Sequence, residues 1–312
     1  MRILITGGAG FIGSHLARAH VNAGHEVVVA DNLSSVDSLQ NLQDIKQNLQ
    51  FVHCDIRLQC DFAALPNGPY DRFYHLAASF ANERSVDYPE IDLRSNAEGT
   101  LAVLTFARHV GCRLFVYTGS SSSYGDGNIP FCEDSRIAPG TPYALTKLLG
   151  ERYVANSGIP YAIFRLFNVY GPGDPPGHYR NAIPNMLKSL DQPSRTIHVY
   201  GEKATRDFTF VHDVVEVLRN AEVAKNSVVN IGTGVETSIL DLAQLISELY
   251  PGDEAHIQVT EQRHWDHVVR RIADVTRLRS MLPDACRTPL TKGIRQTAIW
   301  LHEAGHITRS IS

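Results

Sequence analysis

The side chains best suited to move a proton are Tyr143 and Lys147, which lie four residues apart in a helical pattern that begins at Pro142. Residues at this spacing share one helix face, so the lysine ammonium can reach the phenol. A free tyrosine has a pKa of about 10, and a base working at neutral pH needs a value near 7. An ammonium about 4 Å away supplies about 4 kcal/mol at a protein surface but only about 1 kcal/mol in bulk water. The pair therefore predicts a partly sealed proton-transfer site, although the spacing alone is also typical of a solvated pair.

Four consecutive serines, Ser120 to Ser123, follow an apolar run that predicts a strand over 113–118. Open parallel α/β sheets bind ligands outside the carboxyl ends of their strands. The serines therefore predict hydroxyl groups that face a ligand. A merely flexible loop is the alternative interpretation of the same composition.

The elements that position these side chains are organised by the first 31 residues. The apolar run Arg2 to Thr6 predicts a strand, the segment Gly7 to Gly13 a glycine turn, and the stretch from Phe11 to Ala23 a helix. A second strand pattern, Glu26 to Ala30, is followed by Asp31. This order of strand, glycine turn, helix and acidic strand end predicts a dinucleotide-binding βαβ unit.

Each glycine of this turn has a physical role. Gly7 permits the tight turn, Gly10 lets the backbone approach a pyrophosphate, and Gly13 lets the helix pack closely on the strand. The helix N-terminus supplies unpaired N–H groups for the anion. Asp31 should accept hydrogen bonds from the adenosine ribose, and its charge disfavours a 2′-phosphate, so the predicted cofactor is NAD rather than NADP.

Other segments are expected to complete the cofactor site. A strand over 49–54 leads to Asp55 and Ile56, beside the adenine, and a strand over 72–76 leads to small residues that let the cofactor lie close to the sheet. A helix is predicted from about Glu90 to His109, and His75 is interpreted as a core histidine. The expected cofactor-binding residues, besides the three glycines and Asp31, are Phe11, Ile12, Asn32, Asp55, Ile56, Leu76, Ala77, Ala78, Asn96, Tyr143 and Lys147.

Composition excludes several classes of function. The chain has 312 residues, a net charge of −4 and no long run of lysine and arginine, which argues against nucleic acid or an anionic membrane as its main partner. No apolar stretch approaches the roughly 20 residues needed to span a bilayer, so a soluble protein is expected. Five cysteines without a C-x-x-C pair favour free thiols in a reducing cytoplasm.

Three motifs carry a family resemblance. The G-x-x-G-x-x-G spacing of Gly7 to Gly13 resembles the extended short-chain dehydrogenase/reductase family. Arg165 to Pro172 resembles the R-x-F-N-x-Y-G-P stretch of nucleotide-sugar epimerases and dehydratases, and Arg206 to Asp213 resembles that family's returning segment. The resemblance implies an α/β, Rossmann-type, doubly wound parallel sheet with a smaller C-terminal α/β substrate-binding domain. We expect the NAD-binding domain at 1–171, with a returning segment near 207–232, and a mainly substrate-binding domain at 172–312.

The resemblance also implies a reaction. It gives Ser120 the role of the third catalytic hydroxyl beside Tyr143 and Lys147, relaying the proton of a sugar hydroxyl. In dehydratases and decarboxylases of similar sequence, the turn after this position contains an acid, whereas this chain has Ser121 and Ser122. Without that carboxyl, a 4-keto sugar can only be reduced again. The implied function is an NAD-dependent nucleotide-sugar 4-epimerase, most simply of UDP-glucose and UDP-galactose.

Similarity to UDP-galactose 4-epimerases implies the nucleotide-sugar contacts. Besides Ser120, Ser121, Ser122 and Tyr143, the expected substrate-binding residues are Asn168, Arg206 and Arg263 for the diphosphate, Asp266 for the ribose, and Asn181 and Tyr200 for the sugar or uracil. Arginine suits phosphate because its fork donates two hydrogen bonds. The alternative is that the Arg206–Asp207 and Arg263–Asp266 combinations are surface ion pairs.

Several alternatives remain at this stage. Arg270, counted from Asp266 to Asp274, falls at a position that gates the sugar in relatives; a large residue there argues against N-acetylhexosamines, whereas an arginine could also meet an acidic sugar. A neutral hexose is preferred over UDP-uronate or UDP-N-acetylhexosamine substrates. A net sugar-nucleotide oxidoreductase and an NAD-sensing binding module are the competing functions. The resemblance also implies a homodimer packed through the helices near 90–109 and 143–157.

Overall fold

Seven parallel strands form the central sheet of the computed structural model, which describes residues 1–35, 38–252, 255–263, 265–266 and 268–309. In sheet order they are β3 (Gln50–His53), β2 (Glu26–Asp31), β1 (Arg2–Thr6), β4 (Arg72–His75), β5 (Phe115–Ser120), β6 (Tyr161–Leu166) and β11 (Ser227–Ile231). The order reverses between β1 and β4, and ligands of open α/β sheets bind at such a switch point. The predicted fold class is confirmed.

Helices cover both faces of this sheet, and successive residues of β1 show why. Ile3 and Ile5 belong to one hydrophobic core and Leu4 to the other, because side chains alternate across a strand. The helices are α1 (Phe11–Asn22), α2 (Asn82–Asp87), α3 (Pro89–Asp92), α4 (Gly99–Val110), α5 (Pro142–Ala155), α6 (Ala182–Leu190), α7 (Val211–Arg219), α8 (Ile239–Leu249), α9 (Thr276–Met281) and α10 (Leu290–Glu303). No helix in the described part of the chain is long and apolar enough to cross a membrane.

Smaller sheets follow β6. The strands are β7 (Val169–Tyr170), β8 (Thr196–Tyr200), β9 (Thr205–Arg206), β10 (Thr209–Phe210), β12 (Thr237–Ser238), β13 (His256–Thr260) and β14 (Arg270–Arg271). They pair as β10 with β7, β13 with β8, and β12-β9-β14. Because β11 returns to the seven-stranded sheet after β7 to β10, the chain passes more than once between this sheet and the smaller sheets. The division at residue 171 stays a proposal.

The helix expected from about Glu90 to His109 differs from the structure. The chain forms the short α3, then a π-helical segment (Leu93–Glu98), and only then α4. Such π-turns often mark functional sites in helices. This one packs against α5, the helix that carries Tyr143 and Lys147.

Candidate active site

An open cleft at the carboxyl ends of the parallel strands brings together most of the predicted site residues. Its volume is about 540 Å³, which is typical of small-molecule sites. The predicted residues that line it are Gly7, Gly10, Phe11, Ile12, Gly13, Asp31, Asn32, Asp55, Ile56, Leu76, Ala77, Ala78, Ser120, Ser121, Ser122, Tyr143, Lys147, Asn168 and Asn181. The proton-transfer pair and the glycine turn therefore share one cleft. The individual roles of these residues stay predictions.

The glycine turn fits a dinucleotide because there is no room for side chains in it. Gly7 has a φ of +71°, and a Cβ there would lie 2.6 Å from the backbone nitrogen of Ala77. A Cβ on Gly13 would lie 2.1 Å from the carbonyl oxygen of Gly7. Both contacts are with backbone, which cannot give way cheaply. The turn thus holds the N-terminus of α1 open to the cleft, where its N–H groups can bind a pyrophosphate.

Asp31 is held at the end of β2 in a position suited to a ribose. Its carboxylate accepts hydrogen bonds from the backbone nitrogens of Ala9, at 3.0 Å, and Leu33, at 2.8 Å. Burial raises the pKa of Asp31, and these two hydrogen bonds oppose the rise. A carboxylate can accept about four hydrogen bonds. Asp31 therefore keeps capacity for ribose hydroxyls while its negative charge disfavours a 2′-phosphate.

Tyr143 and Ser120 are brought together by the start of α5 and the end of β5. The Thr141 hydroxyl caps α5 by accepting a hydrogen bond from the Ala144 nitrogen at 3.2 Å. The Ser120 oxygen accepts a hydrogen bond from the Ser122 nitrogen at 3.1 Å, and Ser120 lies close enough to Tyr143 to lower the pKa of its phenol. The two hydroxyls can therefore meet the same substrate atom.

The electrostatics of Tyr143 differ from the sequence expectation. Burial raises the pKa of Tyr143 and Asp92 adds to the rise, whereas the Ser120 hydrogen bond and Arg271 oppose it. The expectation was that Lys147 lowers this pKa. The nearby cation that acts on the phenol is instead Arg271. Because burial outweighs its effect, the phenol holds its proton more tightly than a free tyrosine in this structure.

Lys147 is itself strongly affected by burial. Its ammonium lies 4.6 Å from the centre of the Tyr117 ring. Burial lowers the pKa of Lys147 to about 7, and the carboxylates of Asp92 and Glu151 oppose this change. The lysine therefore loses its charge as the pH rises through neutrality, and the nearby carboxylates raise the pH at which this happens.

Asp92, which the sequence analysis missed, is a buried acid beside this lysine. It is completely buried on α3, and neither carboxylate oxygen has a hydrogen-bond partner in the described structure. Burial raises the pKa of Asp92, while the nearby Ser79 hydroxyl, Arg84 and Lys147 oppose the rise. Its charge therefore favours the ammonium form of Lys147 and disfavours the phenolate form of Tyr143.

We expect Asp92→Asn to move the whole pH profile of kcat/KM to lower pH. Loss of the negative charge lowers the pKa of both Lys147 and Tyr143, by on the order of one unit for a nearby charge. Activity should then begin, and also decline, at lower pH than in the unchanged enzyme. Glu90→Gln is the matched control, because Glu90 is an exposed acid on the same helix. An unshifted profile for Asp92→Asn would contradict this electrostatic role.

Asn96 does not line the cleft, although it was expected to bind the cofactor. It is buried, and its amide holds both backbone groups of Ser79, accepting from the nitrogen at 2.8 Å and donating to the oxygen at 3.0 Å. Its second donor contact is with Thr146. Asn96 therefore joins the loop after β4 to α5. His75 is buried between Thr6 and Thr100, as expected of a core histidine.

Four predicted substrate-binding residues also lie outside the cleft lining. Arg206 forms an ion pair with Asp266 at 2.7 Å. Arg263 lies 4.3 Å from the centre of the Tyr200 ring and pairs with Glu83 at 3.3 Å. The substrate roles of these four residues stay predictions.

The alternative ion pairs considered from sequence do not form either. Asp207 is buried, and its carboxylate accepts hydrogen bonds from the backbone nitrogens of Thr233, Gly234 and Ala273. Asp266 is engaged by Arg206 rather than by Arg263. Asp207 therefore has a structural role, connecting the turn after β11 with the strand segment after β14.

Asp174 and Arg271 are among the charged residues of the cleft that the sequence analysis did not place in the site. Asp174 lines the cleft and accepts a hydrogen bond from the Asn181 amide at 2.8 Å. Burial raises the pKa of Asp174 to about 7. Arg271 also lines the cleft, whereas Arg270, singled out from sequence, is exposed and binds Glu236 through two hydrogen bonds of 2.6 Å. Adjacent residues in a strand point to opposite faces. The side chain that reaches the cleft is therefore that of Arg271.

Comparison with known proteins identifies the family. Residues 3–232 match the model of the NAD dependent epimerase/dehydratase family. The UDP-N-acetyl-alpha-D-glucosaminuronate decarboxylase of Bacillus cytotoxicus is 32% identical over 97% of this chain and 98% of its own length. The putative UDP-glucose 4-epimerase of Methanocaldococcus jannaschii is 36% identical over 78% of this chain and 81% of its own. The structure of epimerase Mth375 from Methanothermobacter thermautotrophicus has a TM-score of 0.89 and 36% identity, covering 98% of this chain and 93% of that one. The chain belongs to the NAD dependent epimerase/dehydratase family, and its cofactor is NAD.

Proposed function

We propose that this protein is an NAD-dependent nucleotide-sugar 4-epimerase. The expected substrate is a UDP-hexose, with the UDP-glucose and UDP-galactose pair as the simplest case. The observation that carries the proposal is the turn after β5: Ser120, Ser121 and Ser122 line the cleft beside Tyr143 and offer hydroxyls but no carboxyl group. A turn of this kind supports proton transfer at a sugar hydroxyl without supporting elimination of water.

The proposed reaction combines proton transfer by Tyr143 and Ser120 with hydride transfer at C4. Tyr143, as phenolate, takes the proton of the C4 hydroxyl, either directly or through the Ser120 hydroxyl. Gly7, Gly10, Gly13 and Asp31 would hold NAD, which would supply a reversible acceptor for the hydride of C4. Tyr143 then gives the proton back to the C4 oxygen. If the hexose turns over in the cleft between these steps, the configuration at C4 is inverted.

Lys147 and Arg271 make this proton transfer possible by their charge. Arg271 is the cation that acts on the phenol in this structure, Lys147 lines the same cleft on the helix that carries Tyr143, and a positive charge favours the phenolate form. Since burial raises the pKa of Tyr143, such stabilisation is needed at neutral pH. The positive nicotinamide ring of the oxidised cofactor acts in the same direction.

A panel of nucleotide sugars tests this function most simply. The purified protein is incubated without added NAD with UDP-glucose, UDP-galactose, UDP-N-acetylglucosamine and UDP-glucuronate, and the configuration at C4 is followed by NMR. We expect inversion at C4 over many turnovers. A product with a keto group, a requirement for stoichiometric cofactor, or a pentose formed with loss of CO₂ would instead support a net oxidoreductase or a decarboxylase, as in the Bacillus cytotoxicus relative.

We also propose a homodimer packed through α4 and α5. Three leucines on these adjacent helices are strongly exposed in the single chain: Leu101 at 48%, Leu145 at 53% and Leu149 at 38%. Exposed apolar side chains grouped in this way are typical of interfaces. Leu145→Glu should convert a dimer to a monomer in sedimentation equilibrium, whereas Val235→Glu, at an exposed site away from these helices, should not. A monomer in the unchanged protein would contradict the proposal.

A further inference from the structure

Arg271 is a buried cation that forms no ion pair with the residues the structure describes. Only 7% of the residue is exposed, its Nε is buried without a hydrogen bond, and within the described part of the chain its guanidinium makes no ion pair. Strand β14 places it directly opposite Arg206 of β9. Its neighbour Arg270 shows the contrast, because that guanidinium is exposed and fully engaged by Glu236.

An unpaired guanidinium in such a place needs a counter-charge. Removing a cation from water costs several kcal/mol, and buried charges in proteins are therefore paired. Burial lowers the pKa of Arg271 only to about 10, so the group is charged at neutral pH. Asp266, the acid whose charge acts on Arg271, is already paired with Arg206. The missing partner is therefore an anion that enters the cleft.

The surroundings indicate which part of a nucleotide sugar carries that anion. Arg271 lies close enough to Tyr143 to act on the pKa of the phenol. In the proposed reaction Tyr143 meets the C4 hydroxyl, and the C6 carbon of a hexose is only two bonds from C4. A carboxylate at C6 would thus lie near Arg271, and carboxylates match the arginine fork with two parallel hydrogen bonds. Asp174, the other titratable carboxyl that was missed, does not contribute to the charge around Arg271.

We propose that Arg271 binds a sugar carboxylate, which makes a UDP-hexuronate the preferred substrate class of this cleft. The proposal rests on the proposed function, because it places the C4 hydroxyl at Tyr143. It replaces the preference for a neutral hexose that was drawn from the sequence. The diphosphate is the other anion of the same ligand, and it would make Arg271 important for every UDP compound alike.

Binding measurements separate these cases without any turnover. Isothermal titration calorimetry of the NAD-loaded protein is carried out with UDP, UDP-glucose and UDP-glucuronate, using Arg271→Gln and the matched control Arg270→Gln. A hydrogen-bonded charge pair contributes about 1.5–3 kcal/mol, so Arg271→Gln should weaken UDP-glucuronate about 10- to 100-fold. UDP and UDP-glucose should change less than about twofold, and Arg270→Gln should leave all three unchanged.

Two outcomes would overturn the proposal. Equal losses for UDP, UDP-glucose and UDP-glucuronate would assign Arg271 to the diphosphate, and no loss for any of them would leave it a structural residue. Thermal unfolding checks that Arg271→Gln folds, and Arg271→Lys, which keeps the charge, should retain part of the preference for the acid. If the selective loss is found but no C4 inversion occurs in the NMR panel, the carboxylate site stands and the epimerase function fails.

Discussion

Tyr143→Phe should lower kcat by about 10²- to 10⁴-fold, the usual contribution of a general acid–base group. The substitution removes one oxygen from a side chain that is otherwise surrounded by α5 and the serine turn. It leaves Ser120 and Lys147 in place but without the group that exchanges a proton with the sugar. The affinity for NAD, measured by fluorescence titration, should change little, because the substitution leaves the glycine turn and Asp31 unchanged.

The control for this variant lies on the same helix. Tyr153 is 36% exposed on α5, so Tyr153→Phe should leave kcat within a factor of two. A Tyr143→Phe enzyme that keeps full activity would exclude Tyr143 as the base. A variant that loses NAD together with activity would assign the residue a mainly structural role.

The second large effect concerns stability. Glu151→Gln should lower the free energy of unfolding by about 3–5 kcal/mol, because it leaves a buried arginine without its counter-charge. Arg165 and Glu151 are 3% and 1% exposed and form two hydrogen bonds, of 2.6 and 3.0 Å. Arg165 also donates to the hydroxyl of Tyr124, at the end of the serine turn, at 2.9 Å. Loss of the pair should therefore loosen the turn that carries Ser120.

Urea unfolding at equilibrium measures this effect. Glu222→Gln is the control, because its ion pair with Lys225 spans 3.7 Å on the surface, and such pairs contribute at most about 1 kcal/mol. The double variant Glu151→Leu/Arg165→Met should recover much of the loss, since buried pairs can be replaced by apolar groups at little cost. A Glu151→Gln protein as stable as the Glu222→Gln control would contradict the account.

The cofactor side of the cleft could be predicted from sequence because its signals are local. The glycine spacing, the helix after it and Asp31 at the next strand end all lie within the first 31 residues. Each has a steric or electrostatic reason that does not depend on distant partners. The seven-stranded sheet follows from this unit and from the buried strands after it.

The substrate side depends on contacts between distant residues, and there the prediction was weaker. Arg206 pairs with Asp266 across 60 positions; Arg206 lies in a strand only two residues long, which gives no periodic signal, and Asp266 lies outside any strand. In such a strand a difference of one position turns a side chain to the opposite face. Counting along the chain therefore selected Arg270, whereas the structure directs Arg271 into the cleft.

Asp92 was missed for a related reason. The apolar residues of 90–109 fit one continuous helix, and the π-helical segment that interrupts it has no signature in the sequence. An acid in a helical pattern normally indicates an exposed face. Only the packing of α3 against α5 makes this one a buried neighbour of Lys147.

The fate of the hydrogen at C4 tests the central claim most directly. The protein is given its preferred UDP-sugar carrying deuterium at C4, and both epimers are examined by NMR and mass spectrometry. The account predicts that the product with inverted C4 retains the deuterium on that carbon, since one resident NAD receives it and returns it. Inversion with loss of the label to solvent, or product with unchanged C4 configuration, would contradict it.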